Sequence, residues 1–151
     1  MTLTVPTLEN LTLNITEELH VRAPLEATFD ALLEEMGPRN QGLEGRPMPM
    51  TIEPRPGGRW FRDLGQDNGH LWGHVQAIKR PTLLEITGPL FMSSAVVSNV
   101  QYRLKEESGG TVIAFRHSAF GVVPDEVRDG MGHGWRSLHE RVRKHAEATG
   151  R

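Results

Sequence analysis

The chain has 151 residues, 17 of them basic, 19 acidic and 37% of them apolar, which is the size of one domain (1–151) able to bury about 70% of the surface its unfolded form exposes. The charges are interspersed and leave no electrostatic footprint for nucleic acid or an anionic membrane. The absence of cysteine excludes disulfides, thiolate metal sites and cysteine nucleophiles and fits an intracellular protein.

From Leu11 the apolar residues fall on alternate positions, Leu11, Leu13, Ile15, Leu19 and Val21, the pattern of a half-buried strand. Glu17 occupies one of the inward positions. A bulge or an edge that turns it outward accounts for it, given how rarely an unpaired carboxylate is buried; the alternative is a carboxylate at a cavity wall. Pro24, preset for a first helical turn, opens a segment in which Leu25, Thr28, Phe29, Leu32, Leu33 and Met36 share a face before Gly37 and Pro38 end it. Residues 37–49, rich in Gly, Pro, Arg and Asn, read as a mobile connection with the character of a lid.

Met50 to Pro54 forms a short strand, and residues 57–78 form a hairpin of two aromatic-rich strands reversing at Gln66, Asp67, Asn68 and Gly69, where Asn and Gly accept positive φ. Leu83 to Thr87 follows as a strand. From Ala95, Val96, Ser98, Val100, Tyr102 and Leu104 take one face, and after a turn at Glu107 to Gly110 the strand from Thr111 to Ser118 carries Ile113, Phe115 and His117 together. These are consecutive antiparallel strands. The C-terminal segment changes period: Pro124 starts a helix with Asp125 and Glu126 in its first turn, Arg141, Arg143 and Lys144 lie near its end, and Val127, Met131, Gly134, Trp135, Leu138 and Val142 form an apolar stripe. Gly130, Gly132 and Gly134 each cost about 1 kcal/mol against alanine in a helix interior, so they predict an irregular first half or close packing against the sheet. No apolar run approaches the roughly 20 residues of a membrane-spanning helix. The N-terminus also lacks a basic region followed by an apolar block, so the chain is expected to be soluble and cytoplasmic, with no membrane insertion.

The order strand, helix, loop, six strands and one long amphipathic helix is that of the helix-grip fold, an α+β arrangement in which a curved antiparallel sheet wraps around the C-terminal helix and leaves a cavity. The residues Ala23-Pro24, Pro56-Gly57-Gly58 before an aromatic, Gly73-His74-Val75, Gly110-Thr111 leading to His117-Ser118, and Gly134-Trp135 resemble the START-like (SRPBCC) superfamily. Within it they are similar to the branch related to the C-terminal domain of the heat-shock-protein-ninety ATPase activators. The resemblance covers roughly 12–146. It implies a fold and a cavity, since the superfamily includes lipid carriers, hormone receptors, pollen-allergen-like binders, polyketide cyclases and co-chaperone domains. The 151 residues hold no counterpart of the activators' separate N-terminal domain, which counts against a co-chaperone role.

The Gly-Gly turn of that superfamily precedes an inward aromatic at the Trp60 position, which places Trp60 and, by alternation, Arg62 inside. Arg62 then binds an anionic ligand through its planar fork or pairs with Asp63, Asp67 or another acid. In the next strand His70, Trp72 and His74 share one face and Leu71, Gly73, Val75 and Ala77 the other. Hydropathy favours the second set inside, while a bulge near Gly73 brings Trp72 to the pocket or its rim. His70 and His74 are roughly 13 Å apart along a strand, too far to share one metal ion, and no metal or other cofactor is expected. His117 is either a general acid or base or a hydrogen-bonded structural residue. Tyr102 presents its hydroxyl to a ligand or to a backbone carbonyl, and Trp135 anchors the helix in the sheet, with lining the pocket as its second role.

The expected function is binding of a small hydrophobic or amphipathic molecule by Trp60, Arg62, Trp72, Tyr102, His117 and Trp135. A cyclase-, dehydratase- or hydrolase-like enzyme that uses His117 in the same cavity, and a protein-interaction module, are the alternatives. A homodimer is left open.

Overall fold

The computed structural model describes residues 7–150. Its elements are β1 (Thr12–Val21), α1 (Leu25–Met36), β2 (Thr51–Ile52), β3 (Arg59–Gly65), β4 (Asn68–Lys79), β5 (Leu83–Gly88), β6 (Val96–Glu107), β7 (Gly110–Gly121) and α2 (Asp125–Thr149). The strands form one antiparallel sheet in the order β1-β7-β6-β5-β4-β3-β2. Sequential neighbours pair from β2 to β7, as short turns dictate. β1 closes the far edge against β7, on the other side of the α1 excursion. α2 lies along the inner face, where Trp135, Leu138, Val142 and Ala146 are buried with Tyr102, Leu104, Ile113 and Phe115 of the sheet. This is the helix-grip architecture.

Alternation fixes the inner face of β6 as Ser98, Val100, Tyr102 and Leu104, all buried, and that of β7 as Ile113, Phe115, His117 and Ala119. In β1 the register to β7 runs unbroken from Thr12↔Phe120 to Val21↔Thr111, so no bulge turns Glu17 outward. It stays on the side of Leu13 and Leu19 because α2 supplies a partner there: His139 Nδ1 lies 2.6 Å from Glu17 Oε1.

Three local expectations differ from the structure. The β3–β4 reversal sits at Gln66 and Asp67, which hold φ of 55° and 63°, two residues before the Asn68-Gly69 pair. Asn68 instead begins β4, and its side-chain amide donates to the carbonyls of Gly65 and Gln66. The 37–49 connection is a folded hairpin: Met48 N–H donates to Asn40 O at 2.9 Å, Asn40 Nδ2 to Met48 O at 3.2 Å and Gly42 N–H to Arg46 O at 2.8 Å. α2, finally, is continuous through its glycines. A Cβ added at Gly130 or Gly134 would meet nothing within 4 Å, so these two are neither in an irregular stretch nor packed against the sheet.

Candidate functional site

A bulge shapes one wall of the site. Trp60 pairs with Gly73, but Phe61 pairs with Leu71, leaving Trp72 as the extra residue of β4. The shift sends His70 and Trp72 to the inner side while His74, opposite exposed Arg59, stays outside. Trp72 thereby meets Trp60 edge-on, with ring centroids 5.0 Å apart, and Phe91 at 5.9 Å. Its indole N–H donates to His70 Nδ1 at 3.2 Å. Trp60 is fixed more firmly: its N–H donates to the carbonyl of Met36, at the end of α1, at 2.9 Å, and its ring is buried.

Between this wall, the 40–48 hairpin, Leu90 and Phe91, and the first half of α2 lies a cavity of about 650 Å³. All three tryptophans of the chain line it, together with Met48, Met131 and Leu138. On α2 its floor is the stripe Gly130, Gly134, Ser137 and Arg141, spaced four, three and four residues apart so that all four share one helical face. Glu44, Glu126 and His133 stand on the walls and are solvent-exposed. Arg141 is half-buried, its Nε lies 3.5 Å from Glu35 Oε1, and its Nη1 donates to Ser137 Oγ at 3.2 Å.

Arg62, Tyr102 and His117 are not among the residues that line the cavity. Arg62 continues the Trp60 side of β3 opposite His70, beyond the residues that line the cavity. His117 is completely buried and both ring nitrogens are engaged. The Trp135 indole N–H donates to Nδ1 at 3.0 Å, which leaves the proton on Nε2 to be donated to Ser98 Oγ at 2.8 Å. Burial pushes its pKa down to about 4, so the ring is a neutral structural strut. Tyr102 is likewise fully buried, its hydroxyl 2.8 Å from His139 Nε2. Because His139 Nδ1–H faces the Glu17 carboxylate, Nε2 is the acceptor and the phenol donates. Burial, and then the Glu17 charge, hold the phenol well above its ordinary pKa. Burial also lowers the pKa of His139, against the opposing pull of Glu17.

These two chains, Ser98–His117–Trp135 and Tyr102–His139–Glu17, tie α2 to β1, β6 and β7 and satisfy the polar atoms of a grip that is otherwise aromatic: the Trp135 ring lies over Phe115 at 4.8 Å and stacks on His139 at 6.0 Å. Trp135 thus has one edge in this core and also reaches the cavity. Sequence reading missed Arg141, which its place near the end of α2 presented as a complement to the helix dipole, and missed Met48, Leu90 and Phe91, which lie in loops without periodicity.

The comparisons with known proteins agree with the architecture. An uncharacterised protein from Rhizobium leguminosarum matches with a TM-score of 0.71 at 16% identity, over 91% of this chain and 95% of that one. Ara h 8.0201 matches at 0.67 with 17% identity, over 91% and 99%. The di-domain ARO/CYC protein StfQ of the steffimycin biosynthetic pathway matches at 0.63 with 12% identity, over 95% of this chain and 52% of that one. At such identities the likeness is one of fold. No curated protein matches the sequence. The family model described as Activator of Hsp90 ATPase homolog 1-like protein matches residues 22–147, which takes in everything from the end of β1 to the last turns of α2, and the chain belongs to that family.

Proposed function

We propose that the protein is a binding protein for a small hydrophobic or amphipathic molecule held in the cavity between α2, the 40–48 hairpin and the Trp60–Trp72 wall. The observation that carries this reading is the pair Gly130 and Gly134. Each costs the helix about 1 kcal/mol relative to alanine, neither has a packing neighbour that requires it, and both line the cavity floor. Both are solvent-exposed, so the cavity opens to water along this face, and a side chain at either position would intrude on it. A volume of about 650 Å³ lies within the roughly 300–1,000 Å³ typical of small-molecule sites.

The distribution of polar groups favours a carrier or sensor over an acid–base catalyst working through His117. The cavity's Glu44, Glu126 and His133 are exposed, and the buried histidines are turned away from it into saturated hydrogen bonds. The polar lining shielded from solvent is Asn40, whose amide is already bonded to Met48 O, and the half-buried Arg141, a set that suits binding. A cysteine-free chain in which no helix among the described residues is long and apolar enough to cross a membrane fits a binder working in the cytoplasm.

Titration with N-phenyl-1-naphthylamine, a neutral apolar fluorophore, tests the reading. Excitation through Trp60, Trp72 and Trp135 should give saturable one-to-one energy transfer to the probe. Absence of a saturable signal from the folded protein would refute it.

A further inference from the structure

Behind the cavity, Glu35 of α1 meets Arg141 and His145 of α2 in an ion cluster between the two helices. Arg141 Nε is the one buried side-chain nitrogen or oxygen among the described residues without a hydrogen-bond partner, although an unsatisfied buried donor is costly. Its companion Glu35 is buried, and one of its carboxylate oxygens is occupied elsewhere: Oε2 takes the Nδ1 contact of His145 at 2.8 Å. Oε1, 3.5 Å from Arg141 Nε, is close enough to hold the guanidinium in place and too poorly placed to hydrogen-bond it. Nε itself is shielded from solvent on the Glu35 side, and Nη1 bonds Ser137 Oγ, so the donors left for a ligand at the cavity wall are those of Nη2 and the second hydrogen of Nη1.

Resting on the binding function proposed above, we propose that Arg141 is the anchor for a singly charged anionic group on the ligand, a carboxylate or sulfonate on an elongated aromatic or alicyclic body. The stripe along α2 gives the geometry. Gly130 and Gly134 leave room for the body, Ser137 adds only a hydroxymethyl group, and Arg141 ends the row. Seven residues at 1.5 Å rise put the guanidinium's helical position about 10 Å beyond Gly134, the length of two or three fused rings. Trp60 and Trp72 face this space from the sheet. Glu35 offsets the arginine's charge, so recognition comes from the free fork rather than from a net positive field. That arrangement disfavours a dianion such as a phosphate monoester, which would lie beside the Glu35 carboxylate with no second cation to balance it.

A matched probe pair tests the assignment: N-phenyl-1-naphthylamine, and 8-anilinonaphthalene-1-sulfonate, which adds a single sulfonate to the same aromatic frame. Arg141→Met should weaken sulfonate-probe binding roughly tenfold or more, as loss of a charge-assisted hydrogen bond requires, while binding of the neutral probe stays within about twofold of wild type. The double variant Arg141→Met, Glu35→Gln removes the ion pair as a unit and avoids a stranded buried carboxylate; it should show the same selective loss. Arg141→Lys should recover part of it. Neutral-probe binding with a sulfonate-probe affinity indifferent to Arg141 would overturn the anchor and leave the binding function standing. Equal loss of both probes in the single and double variants would also overturn the anchor. Failure of the wild-type protein to bind the neutral probe would overturn both readings.

Discussion

Replacing Gly130 and Gly134 together by alanine should make the protein more stable. Both sit inside the continuous α2 helix, where alanine is preferred over glycine by about 1 kcal/mol per residue, partly because glycine loses more backbone freedom on folding. The usual counterweight, a clash of the new methyl group, is absent at both positions because a Cβ there has no neighbour within 4 Å. The expected gain is about 2 kcal/mol for the double variant, or roughly 4–8 °C in Tm for a chain of this length. Urea unfolding followed by far-ultraviolet circular dichroism, with Tm from calorimetry, measures it. Gly73→Ala provides the contrast: its Cβ would meet Thr87 O at 2.7 Å and Ile86 Cγ2 at 3.0 Å, and that variant should lose stability. A destabilised Gly130→Ala, Gly134→Ala protein would mean that the two glycines make a close helix contact, and the reasoning that assigns them to the cavity would fail.

Two further predictions concern the polar chains behind the cavity. His117 has a folded-state pKa of about 4 against 6.5 when free, so its contribution to stability is complete above pH 6.5 and is lost as pH falls toward 4, by roughly 3 kcal/mol. His139, also lowered by burial, adds in the same direction, and His117→Asn should flatten the pH dependence of urea midpoints over that window; an unchanged slope would contradict the burial of a neutral ring. Tyr102 is the only tyrosine, so phenolate absorbance reports it alone. The phenol should stay protonated until the protein unfolds in alkali, whereas ionisation near pH 10 in the folded state would show that water reaches it.

The parts of the structure that depend on one strand or one helix were readable from the sequence. Alternation placed Ser98, Val100, Tyr102 and Leu104 on the inner face of β6, and the Val127–Val142 stripe oriented α2. The parts that depend on a partner from elsewhere were not. Glu17 stands inward without penalty because His139, more than a hundred residues later, meets it. Both ring nitrogens of His117 are taken up by Ser98 and Trp135, and neither contact leaves a mark on β7's own pattern. Trp72 presented a fork that only the pairing register resolves, through the two-residue step between Gly73 and Leu71. Glycine in a helix is equally consistent with a tight contact and with empty space, so Gly130 and Gly134 pointed to something unusual in α2 without saying which. Arg62 lies outside the cavity lining and Arg141 within it, because alternation gives the side of a strand a residue occupies and not where along it the cavity ends.

Filling the cavity from its floor tests the central claim most directly. Gly134→Leu gains helix propensity of about 1 kcal/mol and projects an isobutyl group from the α2 floor into the space that the proposed ligand occupies. The measurement is a titration of this variant with N-phenyl-1-naphthylamine, with Tm recorded on the same sample. The structure predicts that probe binding falls by an order of magnitude or more while Tm stays level or rises. Undiminished binding by a folded Gly134→Leu protein would show that the probe sits elsewhere and would contradict the assignment of this cavity as the binding site.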